Sequence, residues 1–394
     1  MEKVRLGLVG FGGMGSAHAH CVYSHEVEGM VLAAVCDIDE KKRESVHALY
    51  PDVPVFENYS DMFHSGLIDA VLIATPHYLH PVIGEAAFAC GLNVLTEKPI
   101  AVSVTKAKEF ISSAEKSGKT FAIMFQWRRH PLFEKAHELI HNGELGEIKH
   151  LVWIVTNWYR TQAYYDSGSW RATWNGEGGG VLLNQAPHNL DQIWWLCGLP
   201  KKISATTKIA HYHNITVEDD AIITGEFENG GTFSFVTTTG EYPGTNRLEI
   251  SGSRGRIILE DNKLKITRLS MDEEEYRFHS EKYPSKPGYT TEVIEGSGNE
   301  DSYHRAILQD FADALLKGKK LVTPGETGIN ELMISNAAYL SSWLNRPVEL
   351  PFDSALFDEE LEKRKEEEKK HELVRKVKTV GPSTEYNERW FVKW

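Results

Sequence analysis

Over the first 125 positions, apolar residues cluster in short continuous runs at 4–9, 31–36, 70–74, 93–96 and 120–125. Helix-like stretches separate them, at 14–22, 39–49, 81–90 and 104–117. Short runs without a polar face suit strands buried on both sides, so the alternation predicts a parallel sheet covered by helices. The rhythm changes past residue 125. One more helix is expected over 131–142. Strand-like runs follow at 148–158, 203–211, 220–227, 231–239 and 247–251, parted by turn signals such as Glu228-Asn229-Gly230-Gly231. Consecutive strands with tight turns predict an open, mostly antiparallel sheet. Helices at 187–196, 301–317 and 326–344 make this second unit α+β. The expected organisation is an α/β domain over 1–124, an α+β domain over 125–352 and a charged extension over 353–394.

The extension is dense in mixed charge at 359–370 and ends in Trp390, Phe391 and Trp394. It fits either a solvated helix with a frayed end or an aromatic terminus docked on an apolar surface, such as a neighbouring subunit. Forty-three basic against 56 acidic side chains give a net charge of -13, which disfavours nucleic acid and anionic membrane as partners. No apolar run approaches the roughly 18 residues that cross a bilayer. The opening residues lack the apolar stretch of a signal peptide, so a cytoplasmic location is expected. Cys21, Cys36, Cys90 and Cys197 are scattered, which points to free thiols, with neither a disulfide framework nor a metal site expected.

Chemistry enters with Gly10-Phe11-Gly12-Gly13-Met14-Gly15, placed between the first strand and the first helix. In that setting Gly10 permits a tight turn, Gly12 lets backbone approach a pyrophosphate, and Gly15 lets helix and strand pack closely. The helix N-terminus offers free N–H groups to phosphates. Asp37, followed by Ile38, ends the second strand 22 residues after Gly15. Its carboxylate suits the ribose hydroxyls and repels a 2′-phosphate, so NAD is expected over NADP. Thr75-Pro76-His77-Tyr78-Leu79-His80 follows the third strand, where ligands of an open parallel sheet bind. His77 and His80 fit cleft lining better than metal ligation. Glu97-Lys98-Pro99 follows the fourth strand, with Lys98 placed to project its ammonium into the cleft.

Outside the first domain, residues 178–191 are the most informative. Gly178, Gly179 and Gly180 allow close backbone approach, and Pro187 suits the first turn of a helix, which places His188 there. The positive end of that helix is expected to keep the imidazole neutral, so that it can take a proton from an alcohol.

These motifs, in this order, resemble the glucose-fructose oxidoreductase / inositol 2-dehydrogenase / rhizopine catabolism protein (Gfo/Idh/MocA) family over roughly residues 3–350. The resemblance implies an N-terminal Rossmann domain, an open-sheet α+β domain that often assembles as a homodimer or homotetramer, and oxidation of a sugar or cyclitol ring hydroxyl with NAD or NADP. It assigns catalysis to Lys98 and His188. Thr75, Pro76 and His80 match a further motif, and Gln126-Trp127-Arg128-Arg129-His130-Pro131 is similar to the family's Asn-x-Arg-x-x-Pro element, with Gln126 in place of Asn. Many members carry Asp four residues before the histidine; here it is Asn184. Losing that anion is expected to favour neutral Lys98 and let it share the proton-transfer role.

The expected cofactor site comprises Gly10, Phe11, Gly12, Gly13, Met14, Asp37, Ile38, Thr75, Pro76, His77, His80, Glu97, Lys98 and Gln126. The expected substrate side comprises Lys98, Arg128, Trp170, Arg171, Asn184, His188 and His304. Trp170 and Arg171 come from a segment crowded with aromatics (Trp153, Trp158, Tyr159, Tyr164, Tyr165, Trp174), some of which core packing alone would explain. The expected function is an NAD-dependent dehydrogenase acting on a ring hydroxyl of a small carbohydrate or cyclitol. Two alternatives stay open: a glycosidase that oxidises its ring transiently with NAD, and a nicotinamide-sensing regulator without catalysis.

Overall fold

A computed structural model describes residues 2–370, 381–384 and 386. Trp390, Phe391 and Trp394 lie outside the described residues. Six parallel strands form the first sheet: β1 (Val4–Val9), β2 (Met30–Cys36), β3 (Val55–Phe56), β4 (Ala70–Ile73), β5 (Asn93–Thr96) and β6 (Phe121–Ile123), in the order β3-β2-β1-β4-β5-β6. The order reverses between β1 and β4, and a crevice opens there beyond the strand C-termini. Both faces of β4 are buried, as its unbroken Ala70–Ile73 run requires.

The second sheet contains β7 (Ile148–Val155), β8 (Pro200–Ile209), β9 (Glu218–Phe227), β10 (Thr232–Thr238), β11 (Asn246–Gly252), β12 (Gly255–Glu260), β13 (Lys263–Leu269), β14 (Tyr289–Glu295) and β15 (Val348–Glu349). Their order is β14-β13-β12-β11-β7-β10-β9-β8-β15. All neighbours are antiparallel except β10 with β7. Leu151, Trp153, Val155, Ile223, Phe233 and Phe235 turn one face into the core, whereas Val152 and Ile222 are exposed on the other. The helices Pro187–Cys197 and Gly328–Leu344 pack on each other, and Gly328–Leu344 also packs on β8.

The chain returns to the first domain late. The helix Glu300–Lys317 buries Ile307, Leu308, Phe311 and Ala312 in one apolar cluster with Val4, Leu6 and Leu8 of β1. Beyond β15, the helix Ser354–Glu368 seats Phe357 and Leu361 in the core, so the charged extension is only partly solvated. Among the described residues, no helix is long and apolar enough to cross a membrane.

Candidate active site

A cleft of about 600 Å³ opens beyond the C-termini of the parallel strands and is walled on the far side by the second domain. The glycine loop forms its floor. Gly10 adopts φ +96°, and a side chain there would strike the Ala74 carbonyl oxygen at 2.5 Å. A side chain at Gly15 would lie 1.9 Å from the Gly10 carbonyl oxygen, so helix and loop can only close on glycine. At Gly12 a Cβ would meet no protein atom within 4 Å, and Gly12 lines the cleft. The helix Gly13–Tyr23 has neither a side-chain cap nor an acidic residue in its first turn, which leaves its positive end to an anion. Asp37 accepts the Phe11 N–H at 2.7 Å and the Asp39 N–H at 2.9 Å, and Lys42 Nζ lies 3.3 Å away. Phe11 itself departs from expectation. Its ring is buried against Tyr50 and its N–H is taken by Asp37, so it shapes the loop from behind and does not line the cleft. Gly10, Gly12, Gly13, Met14, Asp37, Ile38, Thr75, Pro76, His77, His80, Glu97, Lys98 and Gln126 all line it. A dinucleotide fits this cradle.

The two histidines after β4 are committed to carbonyl groups. His80 sits between the Pro99 and Thr75 carbonyl oxygens, each at 2.8 Å. His77 Nδ1 lies 3.0 Å from the Glu177 carbonyl oxygen, and Tyr78 donates to the Trp174 carbonyl at 2.7 Å, so this turn bridges the two domains. Burial holds both imidazoles below the usual histidine range, helped at His77 by the neighbouring His80.

At the reacting end, Lys98 Nζ donates to the Asn184 carbonyl oxygen at 2.7 Å. Burial pulls Lys98 below the ordinary lysine range, opposed by Glu97, Glu177 and Glu331. His188 occupies the first turn of its helix, after Pro187 at N1. Its Nε2 lies 3.3 Å from Gln126 Nε2, and its Nδ1 has no hydrogen-bond partner among the described residues. Burial, with Lys98 and His304 nearby, holds His188 well below the usual histidine range. The ring is thus neutral, as expected, but burial is the chief cause. A neutral imidazole and a depressed amine on one cleft can exchange a proton with an alcohol.

The anion missed at Asn184 is present nearby. Asn184 Nδ2 donates to the buried Glu177 carboxylate, which also accepts the Ala172 N–H at 2.5 Å and lies 4.0 Å from Arg171. Lys98 is depressed in the direction expected, but burial is the first cause, and Glu97 followed by Glu177 opposes it. Arg171 also lies over the rings of Trp170 and Tyr164. Trp158 lines the cleft, stacked on Trp127 at 6.0 Å, and its Nε1 has no partner among the described residues. Trp170, Arg171, Asn184, His188 and His304 line the cleft as expected, whereas Trp153, Tyr165 and Trp174 belong to the core.

Arg128 requires a second correction. Its guanidinium forms a fork with Asp191 at 2.5 and 2.9 Å, donates to Thr327 Oγ1 and is almost wholly buried, so it braces the helix of His188 and does not reach the cleft. Sequence reasoning also missed Trp127, Gln185 and Glu177, together with Glu368 of the extension, which accepts the Trp174 and Asn175 N–H groups at 2.7 and 2.8 Å. Trp127 fills an unspecified position of its motif and the carboxylates carry none, so only the folded arrangement distinguishes them.

Comparison with known proteins agrees with this geometry. Residues 4–125 match the model of an oxidoreductase family with an NAD-binding Rossmann fold, and residues 133–258 match the Gfo/Idh/MocA C-terminal domain. An uncharacterised oxidoreductase of Streptococcus pneumoniae is 30% identical over 70% of this chain and 73% of its own length. D-glucoside 3-dehydrogenase of Escherichia coli is 27% identical over 58% of this chain and 68% of its own. The structure of a levoglucosan dehydrogenase in complex with NADH and levoglucosan superposes with a TM-score of 0.75, at 20% identity, over 89% of this chain and 100% of that one. The glycine cradle, the Lys98–His188 cleft wall and these matches place the chain in the Gfo/Idh/MocA family of NAD-binding oxidoreductases.

Proposed function

We propose that this protein oxidises a ring hydroxyl of a sugar, sugar derivative or cyclitol. The observation that carries the reading is one cleft holding both a dinucleotide cradle and a Lys98–His188 pair whose proton affinities burial has lowered. Bound NAD supplies the hydride acceptor. His188 takes the hydroxyl proton as the C–H bond breaks, and Lys98 donates a hydrogen bond to the same oxygen and shares the proton. Trp158 and Trp170 offer ring faces or an N–H to a polyol, with Arg171 and Asn184 beside them. Relatives that act on glucosides and levoglucosan support a carbohydrate substrate. A cytoplasmic site of action fits the four free cysteines. The exposed apolar residues of the second sheet suit a homodimer or homotetramer.

The test is a screen of sugars, cyclitols and glycosides for NADH formation, with aglycone release followed in parallel. NADH accumulating in step with substrate loss supports net oxidation. Aglycone release without NADH replaces it with transient oxidation, and neither signal across the panel overturns it.

A further inference from the structure

The extension beyond residue 352 reaches the back of the catalytic pair. Tyr386 is buried there, 4% exposed, and its ring stacks on His304 with centroids 4.1 Å apart and planes 8° from parallel. Its hydroxyl lies 2.8 Å from His18 Nδ1, and His18 Nε2 lies 2.8 Å from Glu97 Oε1. Glu97 Oε2 accepts the backbone N–H of Lys98 at 3.2 Å. Two backbone contacts fix the segment: the Tyr386 N–H donates to Asp301, and the Ser383 N–H donates to Ser16 Oγ at 2.8 Å.

The directions of these bonds follow from the end of the chain. An ionised Glu97 can only accept, so His18 Nε2 donates to it. With one proton on the ring, Nδ1 accepts the Tyr386 O–H. Burial alone would raise the Glu97 carboxyl, but the hydrogen bond from His18 brings it below the usual glutamate range. Glu97 is also the first among the carboxylates that hold a proton on Lys98.

We propose that Tyr386 is a positioning residue of the active site: it fixes the His18 tautomer, and through His18 and Glu97 it sets the protonation of Lys98. The proposal rests on the acid–base role given to Lys98. The groups facing His18 are Glu97, Tyr386 and His304; those facing Tyr386 also include Cys21 and Asp301.

Tyr386→Phe in the full chain keeps the stack on His304 and removes the hydroxyl, which faces both His18 and Cys21. His18 Nδ1 is then free to take a proton beside the Glu97 carboxylate. Long-range proton–nitrogen NMR of the apoprotein should show the His18 Nδ1 resonance move downfield, as an unprotonated ring nitrogen does when it loses a donated hydrogen bond. Once a substrate is found by the screen, the kcat–pH limb should move to lower pH, because a charged His18 offsets Glu97 and frees the Lys98 proton. The Kd for NADH should stay within about twofold, under about 0.4 kcal/mol. In a His18→Gln background, Tyr386→Phe should change nothing further. An Nδ1 resonance at the same position in both proteins overturns the proposal, as does an unmoved kcat–pH profile. Lys98→Ala with full turnover would instead remove the acid–base reading, while the His18 Nδ1 resonance still decides the Tyr386 contact.

Discussion

Glu218 links the packing of the second domain to the helix that carries His188, and its removal has a calculable signature. The carboxylate is fully buried and accepts the Gly180 N–H at 3.0 Å, the Leu182 N–H at 2.9 Å and the Tyr339 O–H at 2.7 Å. These contacts anchor the glycine stretch that leads to Asn184 and His188; a side chain at Gly180 would lie 1.8 Å from the Glu218 carbonyl oxygen. Burial raises the carboxyl from 4.5 to about 7, although its donors resist. An acid with a raised folded pKa binds more protons folded than unfolded. Its effect is therefore absent below pH 4.5, destabilising as pH climbs to 7, and constant above. At about 1.36 kcal/mol per pKa unit, the swing is about 3 kcal/mol. Glu218→Gln abolishes it, whatever fixed penalty the amide incurs opposite those donors. Urea unfolding of both proteins between pH 4.5 and 8 provides the test, since the other titrating groups cancel in the difference. The variant should gain about 3 kcal/mol relative to wild type across that range. A difference constant to within about 1 kcal/mol would refute the reasoning.

Three further outcomes follow. The buried Asp37 carboxylate should make NAD bind at least about tenfold more tightly than NADP, about 1.4 kcal/mol, and Asp37→Ser should narrow that gap; equal affinities by calorimetry would dismiss the assignment. Arg128→Met strands the buried Asp191 and should lower unfolding free energy by about 3–5 kcal/mol, whereas a loss of substrate affinity alone, with stability unchanged, would return Arg128 to the substrate site. Val152 and Ile222 lie on the outward face of the second sheet, so light scattering should report a dimer or larger, and Ile222→Lys should weaken it; a wild-type monomer at micromolar concentration would contradict this.

The first sheet was legible because its strands are unbroken apolar runs and its glycine loop sits where a strand meets a helix. Val55–Phe56 escaped notice because two residues carry no periodicity. Lys263–Leu269 alternates with charged residues and Tyr289–Glu295 is almost entirely exposed, so neither offered an apolar run to detect. The site was legible wherever a residue sat beside a strand end or a helix start, as Asp37, Lys98 and His188 do. It was illegible where tertiary contact decides. Glu177 is met by Asn184, whose carbonyl oxygen holds Lys98, Arg128 is claimed by Asp191, and Tyr386 meets His18 across 368 residues of chain. No local pattern encodes such pairings.

The central claim is that His188 takes the substrate proton at the Lys98 cleft. Stopped-flow reduction of bound NAD, with a substrate identified by the screen, measures that step directly. His188→Ala should slow it by about 10² to 10⁴ while leaving NAD affinity unchanged, because His188 belongs to the second domain. Reduction at the wild-type rate in His188→Ala would contradict the account and leave Lys98 as the base.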